Sequence, residues 1–360
     1  MMSCFVVDAD AHVNEDPMAW TELADLHPGW LAAGRSGGRW VARIGDKLYP
    51  TQEGAGCGVP IDTATNPACA AGAADLDRRM ADMDDEGIDL QVLFGGLSIG
   101  ITSFDDAGFA LDFARAYNDW LLGKVCGHNP QRLKGVAIVP LQDVERSLRE
   151  LSRMAGLGAV AVTVPPVVGE RTLDDATLFP FFEAAAALGL AVAVHSAPGM
   201  NLPLPGAERF ANYAQVHCLS FPVDQMVAFT ALAMGGVLDR IPSLRVAFLE
   251  SGVGWVPYFV HRMHEHWEKR GDLVPAMTSD PRELVSRGQC FFSFEAEEPL
   301  LEPYVEHLGD GSLVYASDYP HWDSDFPGTV EEVRRLAAGL GDDVTAKILG
   351  GNASRLYGLS

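Results

Sequence analysis

Basic residues are scarce in this 360-residue chain: Lys and Arg number 26 against 49 Asp and Glu, a formal charge of −23. A surface of that sign repels nucleic acid and anionic membranes and offers no basic stripe to a phosphate backbone. Cysteine is thin as well. Six thiols, Cys4, Cys57, Cys69, Cys126, Cys218 and Cys290, are scattered without a C-x-x-C pair, so neither a zinc knuckle nor a disulfide framework is indicated and reduced thiols are expected. The opening MMSCFVVDADAH lacks a basic segment followed by a long apolar run, and no apolar stretch of about 18 residues is evident. A soluble cytoplasmic protein, with neither nucleic acid nor membrane as partner, is the expectation. Internal repeats and low-complexity linkers are also missing.

What the chain does have is alternation. Short β-rich apolar runs (FVVDA, DLQVLF, LKGVAIV, AVAVTV, LAVAVH, LRVAFL, QCFFSF, SLVYAS) alternate with longer helical patterns such as DLDRRMADMDDEG and VERSLRELSRMAG. Eight such pairs predict an α/β fold, a (β/α)8 TIM barrel, as a single domain spanning residues 1–360. Gly189 and Gly309 fall where helix C-caps are needed. Two segments break the rhythm. Residues 34–74, rich in Gly, Ala, Thr and Pro, are far longer than an ordinary strand-to-helix loop and predict a lid or arm inserted after strand one, over the barrel mouth. Residues 197–222 form a second long connection.

Metal-ligating residue types sit just past the predicted strands: Asp10 and His12, His195, Glu250, Glu295, and Asp318 with His321. In a barrel of parallel strands these ends converge on one face, where active sites are built. Asp8, Asp10 and His12 are spaced by two, so a regular strand points all three to one side. Buried carboxylates there require a cation or a partner, although D-x-D-x-H alone suits a solvated strand end equally well. A lone His195 would be a satisfied core histidine, and a lone SDYP only a turn; it is the combination that favours metal. His217, in the long fifth connection, is either a further ligand or a packing residue. Glu295 and Glu298 would also serve as acids at a helix N-terminus. His261, His264 and His266 form no H-E-x-x-H pattern and read as surface or interface residues. Trp255, Phe259 and Trp322 are candidates for either an apolar pocket or core packing.

Through DADAHV, AVHSAPG, FPVDQM, GVLDRIPSLRVAFLESGVGWVPYF, SDYPHWD and GNASRLYG, nearly the whole chain resembles the amidohydrolase-related family that includes aminocarboxymuconate-semialdehyde decarboxylase-like enzymes. The resemblance implies a TIM barrel holding a divalent metal through strand-one ligands, a strand-five His and a strand-eight Asp, roles that fall on Asp10, His12, His195 and Asp318. The chain departs from that pattern in three places. Asp10 replaces the first His of H-x-H, Glu250 stands where many members carry a strand-six His, and AVAVTVPPVVG has no strand-four bridging Lys or Glu.

The resulting donor set of Asp10, His12, His195, His217, Glu250, Glu295, Asp318 and His321 contains oxygen and imidazole but no thiolate, which suits iron or manganese, with zinc as a further choice. It is similar to what the family's non-haem diiron monooxygenases would need. The leading expectation is therefore two Fe ions activating dioxygen to hydroxylate an apolar small-molecule substrate, one linked to CoA, with an unnamed electron donor and with Asp318, Glu250 and His321 as catalytic residues. The rival is a hydrolase or non-oxidative decarboxylase using one divalent ion, Zn or Mn, with Asp318 as general base. A metal-free binding protein is the third class. The resemblance also implies a homodimer.

Overall fold

A computed structural model of the chain describes residues 4–15, 20–36, 39–51, 54, 57 and 66–359. Eight parallel strands run in sequence order around a barrel: β1 (Val7–His12), β2 (Leu90–Phe94), β3 (Leu133–Ala137), β4 (Ala161–Val164), β5 (Ala191–Val194), β6 (Val246–Phe248), β7 (Cys290–Phe294) and β8 (Leu313–Tyr315). Each is followed by an outer helix: α1 (Leu76–Glu86), α2 (Ala107–Asp119), α3 (Val144–Gly156), α4 (Phe179–Ala187), α5 (Tyr213–Met234), α6 (Trp255–Arg270), α7 (Leu301–Leu308) and α8 (Thr329–Leu336). The expected barrel is therefore the observed one.

Alternation along the strands explains why it closes. Val192, Val194, Phe248 and Phe292 face outward into the layer shared with helix residues such as Phe109, Phe181 and Phe229. The inward residues mix small side chains such as Ala9, Ala161, Ala191 and Ala247 with branched ones such as Val92, Val136 and Val314, together with Phe94 and Phe291. Below the strand starts, the C-terminal helix Asn352–Tyr357 joins this inner cluster, and the Tyr357 hydroxyl donates to the Ala9 carbonyl at 2.8 Å. Gly350 is required in this floor: a Cβ there would lie 1.9 Å from the Phe5 carbonyl oxygen.

The seam between β8 and β1 is sewn partly by side chains. Asp8 accepts from the Ser317 amide at 2.9 Å, the Ser317 hydroxyl at 2.6 Å and Gln91 Nε2 at 3.0 Å. Gln91 in turn accepts from Arg79 of α1 at 2.9 Å, so a buried acid and a buried guanidinium lie in one hydrogen-bonded chain. Burial lowers the Arg79 guanidinium to about 10.

Two segments differ from expectation. The connection after β5 is shorter than residues 197–222, because α5 begins at Tyr213 and runs through Pro222, a residue that ordinarily ends a helix. His217 consequently sits on a helix. By length and composition α5 is also apolar enough to cross a membrane, contrary to the absence of such a stretch expected above, yet Ala228, Phe229 and Leu232 are buried against the barrel. Within the insertion after β1, strands Leu31–Ser36, Arg39–Ile44 and Lys47–Tyr49 form an antiparallel sheet. This sheet meets the β5 loop: the Thr51 amide donates to the Gly199 carbonyl at 2.7 Å and Asn201 Nδ2 to Leu48 at 2.8 Å. Part of the expected lid, residues 37–38, 52–53, 55–56 and 58–65, lies outside the described residues.

Candidate metal centre

A β-bulge builds the first wall of the site. Asp8 pairs with Gln91 and Ala11 with Leu93, so β1 carries one extra residue between those pairs. The insertion breaks the two-residue period. Val7 and Ala9 face the inner cluster and Ala11 the outer one, while Asp8 turns outward to the seam. Asp10 and His12 point into the mouth together. The expectation that Asp8 would share their side fails because it assumed a regular strand.

The imidazoles are held in a ligand-ready tautomer. His12 Nδ1 donates to the Gly95 carbonyl at 3.1 Å and His195 Nδ1 to the Ser196 carbonyl at 2.7 Å, which leaves each Nε2 lone pair turned to the site. Glu15 fixes the loop that supplies Gly95 by accepting from the amides of Gly96, Leu97 and Ser98. Glu250 and Asp318 lie just past the ends of β6 at Phe248 and β8 at Tyr315, and both adopt left-handed backbone with φ of 53°. Non-glycine residues pay about 1–3 kcal/mol for such conformations, which cluster at functional sites.

These ends bring donor atoms together. Two overlapping groups, Asp10/His12/His195/Glu250 and His12/Glu250/Asp318/His321, each place one ligand atom per residue within 4.8 Å of the others. His12 Nε2 lies 3.1 Å from Glu250 Oε1, 3.3 Å from Asp318 Oδ1 and 3.4 Å from Asp10 Oδ1, and His195 Nε2 lies 3.3 Å from Glu250 Oε2. Both Asp10 oxygens and His195 Nε2 are buried without a hydrogen-bond partner. Orphaned buried acceptors of this kind are costly unless a cation satisfies them, so the donor set fits a divalent ion. The electrostatics agree. Burial raises the Asp10 carboxyl above its usual range. Burial by itself would lower His12, but Asp10, Asp318 and Glu250 hold it well above the usual value; the cluster demands positive charge. Burial would likewise raise Glu250, and the His195 and His12 imidazoles outweigh it.

His217 and Glu295 stand apart. Both line the same cavity of about 190 Å³, but neither belongs to either donor group. His217 Nε2 faces Asp323 Oδ2 at 3.7 Å. Glu295 is open to water through the cavity yet has protein on most sides; that enclosure, with the facing Asp318 and Asp323, pushes it up to about 7. His264 of α6 pairs with Asp280 at 3.0 Å, away from the cavity. Sequence reasoning missed Asp323, and it missed the support from α5. There Gln225 Nε2 donates to the carbonyls of Val194 and Leu249 at 3.1 and 3.0 Å, and Asp224 accepts from the Ser196 hydroxyl. The D-Q pair in FPVDQM was the only available signal, and nothing in it shows which strands it holds.

Comparisons with known proteins agree with this geometry. The family described as amidohydrolase matches residues 7–359. The chain is 28% identical over 289 residues to a 2-amino-3-carboxymuconate-6-semialdehyde decarboxylase of Dictyostelium discoideum, covering 79% of this chain and 77% of that protein. It is 26% identical over 301 residues to a gamma-resorcylate decarboxylase of Polaromonas sp., covering 79% and 87%. A crystal structure of a dihydroxybenzoic acid decarboxylase from Polaromonas sp., with bound manganese and the inhibitor 2-nitroresorcinol, superposes with a TM-score of 0.69 at 19% identity, covering 100% of this chain and 98% of that one. The expectation of a diiron monooxygenase is overturned by these relatives, which are decarboxylases, and the solved one carries manganese rather than iron. The oxidative reading rested on counting extra carboxylates, and carboxylate number alone does not select oxygen chemistry. The electron donor and the CoA-linked substrate were parts of that reading and go with it.

Proposed function

The chain belongs to the amidohydrolase family, and we propose on that premise that it is a divalent-metal-dependent decarboxylase, releasing carbon dioxide non-oxidatively from a small aromatic or conjugated acid. The observation that carries this is the set of orphaned, buried donors of Asp10 and His195 converging with His12 and Glu250 at the barrel mouth. These four residues would hold the ion, and manganese or zinc suits their nitrogen and oxygen donors. When bound, such an ion supplies Lewis-acid charge that binds and orients a substrate carboxylate.

The remaining groups are placed for the proton. Asp318 Oδ1 lies 2.7 Å from His321 Nδ1, the rings of His12 and His321 are 4.0 Å apart, and both Asp318 and His321 line the cavity. Breaking the bond between the ring carbon and the carboxylate leaves its electron pair on that carbon. Asp318 and His321 would deliver the proton there as carbon dioxide departs, and water would restore it afterwards. Ile99, Phe221 and Trp322 give the cavity an apolar wall that limits water around the charged carbon.

Protein stripped with chelator, then reloaded with manganese or zinc, tests the assignment on a panel of hydroxybenzoates without dioxygen. Carbon dioxide release that depends on the metal is expected. Turnover by stripped protein at the reloaded rate, or none with either metal on any acid, would contradict it.

A further inference from the structure

The apolar wall of the cavity is built largely from loops rather than strand ends. Ile99 comes from the connection after β2, Met200 from the connection after β5 and Trp322 from the one after β8. Loops of this kind ordinarily yield to a bulky ligand. The stretch around Met200 is held from outside instead. The Thr51 amide donates to the Gly199 carbonyl at 2.7 Å, and the Asn201 amide donates to the Thr51 hydroxyl at 3.1 Å. Asn201 Nδ2 adds a third bond, to the Leu48 carbonyl at 2.8 Å. Met200 therefore sits between two residues pinned to the antiparallel sheet inserted after β1.

The pinning leaves little room to move. Asn201 adopts left-handed backbone with φ of 57°, a conformation that Asn tolerates better than most residues and that its two bonds to the insertion hold in place. Behind Met200 stands Gly100, where a Cβ would lie 3.1 Å from the Met200 carbonyl oxygen, 3.2 Å from Met200 Cβ and 3.1 Å from Tyr49 Cε1. The Met200 backbone, the β2 connection and the inserted sheet are thus packed directly together. The Tyr49 hydroxyl reaches the Ser103 hydroxyl at 2.9 Å, which donates to the Gly100 carbonyl at 2.7 Å, so Ile99 is anchored through its neighbour to the same sheet. We propose that Met200, braced by the inserted sheet, is a specificity-determining residue that limits the bulk of the ring substituent a substrate carries. This rests on the metal-dependent decarboxylase reading of the same cavity, which seats the carboxylate at the donor cluster and sends the rest of the acid toward the apolar wall.

Salicylates carrying methyl, isopropyl or tert-butyl at position 4 or 5 test this through their affinities for the manganese-loaded enzyme, measured by calorimetry, with carbon dioxide release followed separately. At one of the two positions the wild type is expected to bind the methyl acid at least about tenfold tighter than the tert-butyl acid. Met200→Ala, at unchanged metal content, should bring that series within about threefold by strengthening the tert-butyl acid, whereas Met200→Leu, which keeps the bulk, should keep the order. A merely structural role would weaken every acid by the same factor. Asn201→Gly retains the left-handed backbone and drops the bond to Leu48; it should move the order the same way by at least about threefold, and it carries the comparison if Met200→Ala does not fold. A wild type that binds the tert-butyl acid as tightly as the methyl acid at both positions, or an order that Met200→Ala, or Asn201→Gly in its stead, leaves unmoved, overturns the assignment. If the order shifts and no acid releases carbon dioxide, the decarboxylase reading fails while the role of Met200 stands; carbon dioxide release with an unmoved order gives the reverse, and no binding by any acid removes both.

Discussion

At the residue scale, function turns on single atoms left without partners. Asp10 Oδ1 and Oδ2 and His195 Nε2 are buried and unsatisfied, so a cation is what they lack. Asp10→Ala or His195→Ala should reduce bound manganese at least about tenfold by elemental analysis with the far-ultraviolet spectrum unchanged, since lost ligands cost metal affinity more than core packing. Full metal occupancy in both variants would remove these residues from the site. Asp224 allows a test through pH. Its carboxyl is pushed up to about 7 by burial, opposed by the Ser196 hydroxyl. The folded state therefore holds a proton that the unfolded chain releases near 3.8. Stability from that proton is complete below the unfolded value and is lost as pH rises through about 7, with a ceiling of about 4 kcal/mol for a shift of about three units. Urea unfolding at pH 5.5 and 8 should show Asp224→Asn gaining on the wild type by more than about 1 kcal/mol at the higher pH; a gap that ignores pH would contradict it. Asp10, His12, His195, Glu250 and Asp318 were all visible in the sequence because each lies in or within a few residues of a β-rich apolar run. The outward turn of Asp8 was not, since a bulge is set by pairing with β2 and leaves no local mark.

At the element scale, the strand tops are positioned by the helix that crosses behind them. Gln225 of α5 ties the carbonyls of Val194 and Leu249, one residue before His195 and Glu250 respectively. Removing it leaves two buried carbonyls short of a donor, a cost of about 1–3 kcal/mol. Gln225→Ala should lower the unfolding free energy by that amount and weaken metal binding, as read by chelator competition; a stability loss with unchanged metal affinity would make Gln225 purely structural. The eight strands and the bodies of the eight helices were legible from period and length alone. The start of α5 at Tyr213 was not. Pro222 signalled a break, and only packing of the surrounding turns on the barrel explains a helix that passes through it.

At the scale of the whole molecule, the barrel gathers residues from four strands into one mouth, and a fold of this kind hosts many reactions. The site's location was therefore legible, while its chemistry was not. The donor set alone was compatible with oxygen activation or with decarboxylation, and what speaks against the oxidative reading is that the relatives are decarboxylases. The most direct test is the fate of the reacting carbon. Manganese-loaded protein is given an aromatic acid in deuterium oxide without dioxygen, and the product is analysed by mass spectrometry and NMR. The account predicts one carbon dioxide released per product, with a single deuterium at the carbon that bore the carboxylate and no added oxygen. A product that forms only with dioxygen and carries a new oxygen atom would contradict it.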